Sequence, residues 1–122
     1  MGYTIYWKTK PGKKITTSET KKIVKSLRTM VNSIPKVKIE TIGQYHLFFN
    51  GIGENSHETF AFEGPGEIDF AFCKTARKPY DKYVKKALMR IQKITGNKLI
   101  IHQDGFNPET DPPGWKNYVS ED

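Results

Sequence analysis

The chain has 122 residues with a formal net charge of +7, which suits one domain with its own core and is short for two. Hydrophobic content is 36% and mean hydropathy -0.64, but aromatics reach 12% and the apolar residues recur periodically, so a folded domain is expected rather than a disordered chain. No segment has the apolar length of a membrane span or of a signal peptide, and the single cysteine, Cys73, excludes an internal disulfide; a cytoplasmic protein without a membrane partner is expected.

Residues 3–7 alternate as a strand with Tyr3, Ile5 and Trp7 on one face. After the basic loop KTKPGKK, Thr16 and Glu19 have the spacing of a capping box, and Ile23, Val24, Leu27, Met30, Val31 and Ile34 mark a helix that Pro35 ends. Residues 37–42 form a short strand with Val37 and Ile39 inward. Three further strands, 45–50, 58–63 and 68–73, follow with only Gly-, Asn- and Pro-rich connections, as in an antiparallel meander. In the last of them Ile68, Phe70 and Phe72 alternate with Asp69, Ala71 and Cys73. From Pro79 the period turns helical through Tyr80, Tyr83, Val84, Ala87, Leu88, Ile91 and Ile94, with Gly96 as the stop, and residues 99–102 form the final strand. The last strand, helix, strand run predicts parallel strands joined by a right-handed crossover, which places their ends on one edge of the sheet.

These elements predict an α+β fold: a two-layer sandwich in which a mixed sheet of about six strands, in the order β-α-β-β-β-β-α-β, carries two helices on one face. Residues 1–105 form the domain, and 106–122 an acidic Pro/Gly-rich tail without regular structure. Phe106, Trp115 and Tyr118 are expected to pin that tail to the body.

Charge is segregated along the chain. Residues 1–40 hold ten Lys or Arg against two Glu, and residues 74–103 nine against one Asp, whereas 41–73 hold five acids and no Lys or Arg. Both helices fall in the basic blocks, so Lys21, Lys25, Arg28, Lys82, Lys86 and Arg90 are expected to form an electropositive helix layer suited to a polyanion or an acidic partner. The plainer alternative is a solvated Lys face that only keeps the domain soluble.

The loop CKTARKPY precedes the second helix, where backbone N–H groups and the helix dipole favour an anion. Lys74, Arg77 and Lys78 add charge there, Thr75 a hydroxyl and Tyr80 a ring or a donor, and the shared edge brings His102 and Asp104 close. The loop lacks the glycines and GK[ST] signature of a phosphate loop. His102 and Asp104 also read as a strand end before an Asp-Gly turn, and no Cys or His spacing matches a metal motif, so no metal, cofactor or catalytic residue is assigned. The neighbouring cations could lower the pKa of Cys73. The strand aromatics could form a stacking platform for single-stranded nucleic acid, but the acids of the middle strands and the lack of an RNP-like segment point instead to core packing or a protein interface.

The segment FAFCKTARKPYD, followed by a helix and a strand ending in DG, resembles one in small uncharacterised bacterial proteins, where F-x-F-C-K-T-x-x-K-P-Y-D leads to a strand ending in S-D-G. The resemblance covers about a third of the chain, departs from it at HQDG and implies no activity. It implies that Lys74, Thr75, Tyr80, Asp81 and Asp104 act as one constellation. The functional expectation is a small binding module whose basic helix layer meets nucleic acid or an acidic protein surface; the alternative is an enzyme or sensor for a small phosphorylated ligand at the strand-end edge.

Overall fold

In the computed structural model, which describes residues 3–105 and 108–120, the chain runs β1 (Thr4–Thr9), α1 (Thr17–Asn32), β2 (Val37–Ile42), β3 (His46–Gly51), β4 (Phe60–Glu63), β5 (Ala71–Lys74), α2 (Asp81–Thr95) and β6 (Leu99–Gln103). The fold is α+β with two helices and six strands in the expected order. Thr16 and Glu19 close the capping box in both directions: the Glu19 N–H donates to Thr16 Oγ1 at 3.0 Å, and the Thr16 N–H to Glu19 Oε1 at 2.9 Å. Ile23, Val24, Leu27, Met30 and Val31 then bury the inner stripe of α1. α2 ends at Gly96, whose φ of 67° is the left-handed conformation that glycine adopts at least cost.

The single mixed sheet is a correction. The strands form two separate three-stranded sheets, β5-β1-β6 and β2-β3-β4, and every ladder is antiparallel. After β4 the chain is drawn to β1 instead of continuing the meander. Thr9 exchanges hydrogen bonds with Ile68, its N–H donating to Ile68 O at 2.9 Å and its Oγ1 accepting from Ile68 N at 3.0 Å, while Ile15 and Gly66 form an isolated bridge. β4 and β5 therefore meet only at one end, where Glu58 N–H donates to Lys74 O at 3.2 Å. Trp7 and Phe49, on different sheets, both stack against Phe60, so the core runs on across the gap between them.

β5 and β6 are both antiparallel to β1 and hence parallel to each other, with β1 between them. Their ends do share an edge, as the crossover requires. β5 keeps the expected alternation, and its packing on β1 sets which face is inward. Cys73 and Ala71 point inward, opposite Ile5 and Trp7, while Phe72 lies opposite Tyr6 on the outer face. Small residues face the core because Trp7 and Ile5 already fill the space there. Shifting the inward set by one residue sends the aromatics to the other side.

The tail is more regular than its composition suggests. Trp115–Asn117 forms a 3-10 turn, Val119 bridges Ile101 in parallel, and Ser120 N–H donates to Ile101 O at 2.8 Å. Trp115 is buried and Tyr118 half-buried, whereas Phe106 lies outside the described residues. No helix of the described residues is long and apolar enough to cross a membrane.

Candidate functional site

The edge formed by the ends of β5 and β6 is organised by Thr4, which starts β1. Thr4 pairs with Lys74 on one side; on the other, its N–H donates to Asp104 Oδ2 at 3.1 Å and its carbonyl accepts from Asp104 N–H at 3.1 Å. Lys74 and Asp104 thus flank one residue across two strand spacings, about 10 Å.

Between this edge and α2 lies a buried ion network that joins Thr75 and Asp81 to Lys85, Thr110 and Asp111, three residues that the sequence patterns did not mark. Asp81 opens α2, and its carboxylate accepts from Thr75 Oγ1 and from Thr110 Oγ1, each at 2.5 Å. Lys85, one helical turn on and fully buried, donates to Asp81 at 2.6 Å, to Thr110 Oγ1 at 3.2 Å and to Asp111 of the tail. All three protons of the ammonium are thereby placed. Its Nζ is 4.9 Å from the centre of the Tyr3 ring, and the guanidinium of Arg77 is 4.8 Å from the same centre. The Tyr3 hydroxyl lies 2.6 Å from Gln103 Oε1, which also accepts from Trp115 Nε1 at 2.8 Å. In the sequence, the FAFCKTARKPYD resemblance grouped Thr75 with Asp81, and Lys85 follows Asp81 at i, i+4; Thr110, Asp111, Tyr3 and Gln103 come from distant segments.

The seven residues expected at the edge divide into three groups. Thr75 and Tyr80 are sealed in the interior, Thr75 on Asp81 and Tyr80 donating to Glu58 O at 2.5 Å, so neither hydroxyl faces solvent. Lys74, Arg77 and Lys78 stay at the surface. Lys78 N–H donates to Thr75 O at 2.9 Å, closing a tight turn whose central residues Ala76 and Arg77 have φ of 52° and 59°. Left-handed backbone at two non-glycine residues stores strain of about 1–3 kcal/mol each. His102, opposite Tyr6, instead lines a hollow on the outer sheet face, and Asp104 is exposed at the strand end. Arg77 also lines a hollow of about 240 Å³ with Lys36, Lys82, Tyr83 and the tail residues Glu109 and Thr110.

On the helix layer, Lys21, Lys25 and Arg28 are exposed and border a groove of about 570 Å³ against Ile39 and Ile42 of β2. Arg90 of α2 donates to Ser26 of α1, to Oγ at 3.0 Å and to O at 3.2 Å, and so joins the two basic faces. Lys82 and Lys86 are half-buried, the latter 5.5 Å from the Tyr83 ring.

No family model, curated protein or solved structure matches this chain. The chemistry is therefore argued from the residues themselves. Burial pushes the Cys73 thiol up to about 12, outweighing the hydrogen bond to Tyr80, with Glu58 and Asp81 adding to the rise; the activation suggested by the adjacent cations is corrected accordingly. Burial likewise raises the phenols of Tyr3 and Tyr80, helped by Asp81 and Asp111 at Tyr3 and by Cys73 at Tyr80. Among the described residues no group of three or more His, Cys, Asp or Glu is arranged to hold a metal ion.

Proposed function

We propose that the protein binds the phosphate backbone of nucleic acid across the exposed faces of α1 and α2. The supporting observation is the fate of the two carboxylates that these helices contain. Glu19 is taken up by its own capping box and by Lys98 at 2.7 Å; burial raises its pKa, but these partners prevail and hold the carboxyl below its ordinary value. Asp81 is buried against Lys85. Lys21, Lys22, Lys25, Arg28, Lys86, Arg90 and Lys93 consequently share the layer with no exposed helix carboxylate, the arrangement that attracts a polyanion. A reducing intracellular compartment accords with this reading, since Cys73 is a buried thiol.

Fluorescence anisotropy with a labelled duplex at low and high salt tests it. Binding is expected to weaken steeply with salt, and Ala at Lys21, Lys25, Arg28 and Lys86 together should lower the log-log salt slope by about 3–4. No binding at low salt, or equal competition by an acidic polypeptide, would overturn it in favour of a solvated face or an acidic protein partner.

A second reading is favoured by the strained turn at Ala76 and Arg77 beside the hollow lined by Lys36, Arg77 and Lys82: a small phosphorylated ligand held at that corner. An Arg77→Ala variant that loses binding of inorganic phosphate but keeps duplex binding would separate the two.

A further inference from the structure

We infer that the outer face of the β5-β1-β6 sheet is a stacking platform for single-stranded nucleic acid, a reading that concerns a different face from the helix layer and stands independently of it. On this face β1 presents Tyr6 and Lys8, β5 presents Phe72 and Lys74, and β6 presents Ile100 and His102, while α2 packs with the inner residues of the same sheet. Phe70, just before β5, is 64% exposed and Phe72 42%. The rings form a continuous chain, with centroids 6.0 Å apart from Tyr6 to Phe70 and 5.6 Å from Phe70 to Phe72. Beside them Tyr6, Phe70, Lys8, Ile100 and His102 border a hollow of about 290 Å³, open to solvent.

Charge selects the occupant. None of the outward positions on these three strands is acidic, and Lys8 and Lys74 stand at different points along the ring chain, with Lys74 Nζ 5.8 Å from the Phe72 centroid. Acids stand only at the border of this face: Asp69 before Phe70, Glu58, whose carboxylate accepts from Lys74 N–H at 3.0 Å, and Asp104 beyond the end of β6 beside Thr4, while Glu63 belongs to the other sheet. Rings without a hydrogen-bonding code, flanked by cations, fit unpaired bases and their phosphates, because every base has a face to stack. A duplex hides those faces, so the platform takes single strands.

The test compares short oligo(dT), oligo(U) and a duplex of equal length, binding to the wild-type chain and to Phe70→Ala and Phe72→Ala. Both residues are exposed, so the fold should survive the changes. Each variant is expected to lose roughly 5- to 150-fold in affinity for the single strands, as for removal of one stacking ring, while its duplex affinity is unchanged. The charge variants of the helix layer should behave the other way round, so the two readings fail separately. The oligo(dT) and oligo(U) arms tell DNA from RNA. Single-strand binding unaffected by either substitution, no single-strand binding at all, or sedimentation showing a wild-type dimer that Phe72→Ala dissolves would each overturn the proposal, the last by assigning the face to a second copy of the chain.

Discussion

The two helices have similar composition and are started by different physics. α1 begins with a local device: Thr16 and Glu19 satisfy each other's backbone, and everything else buried from the helix, except Thr20, is apolar. α2 begins at Tyr80 without a side-chain cap, and its buried face includes Asp81, Lys85 and Gln92. Gln92 spends its amide on the Leu99 backbone, accepting from the N–H at 2.9 Å and donating to the carbonyl at 3.0 Å, which fixes α2 on β6. Asp81 and Lys85 tie the same helix to the β5 end and to the tail. The start of α1 is secured by a local cap, whereas the start of α2 holds only while distant segments stay together. Buried charges are no advantage over apolar packing, but once present each needs its partners.

The largest break in the comparison is expected at Lys85. Lys85→Ala leaves Asp81 and Asp111 without their shared cation and should cost about 3–5 kcal/mol in chemical denaturation, whereas Lys25→Ala on exposed α1 should stay within about 0.5 kcal/mol. A smaller cost measured for Lys85→Ala would mean that water enters the network. Alkali should act next. Cys73 keeps its proton in the folded chain beyond the ordinary thiol value of 9.0, so stability is full below that pH and falls as pH rises toward about 12, by about 1.4 kcal/mol per pH unit for this group. Cys73→Ala, followed by circular dichroism across that range, should make the decline shallower, with the residual slope coming from Tyr3 and Tyr80, whose phenols are also raised. Thr75→Ala removes one hydrogen-bond donor from buried Asp81 and should cost about 1–3 kcal/mol. Its counterpart in α1, Thr16→Ala, loses only a cap, about 1 kcal/mol. Equal losses at Thr75 and Thr16 would erase the distinction between the two helix starts.

What could be read from the sequence follows the same division. The capping box, the apolar stripes and the Gly96 stop are local patterns, and their elements lie within a few residues of the expected places. The split into two sheets was hidden because it depends on Thr9 meeting Ile68 and on Ile15 meeting Gly66, pairings with no local signature. The faces of β5 were hidden because alternation says that two faces differ and not which is inward; only the bulk of Trp7 opposite Ala71 decides that. At the strand-end edge, topology alone brought Lys74 and Asp104 to the two sides of Thr4. The sealing of Thr75 and Tyr80 required knowing where Thr110 and Glu58 return.

The helix-layer proposal is tested most directly by two-dimensional amide NMR of the whole chain titrated with a short duplex. If the basic layer makes the contact, amides of α1 around Lys21, Lys25 and Arg28 and of α2 around Lys86 and Arg90 should shift together at low salt and return as salt is raised. Shifts confined to the turn at Ala76 and Arg77, or no shift in either helix at a duplex concentration that saturates the anisotropy signal, would contradict it.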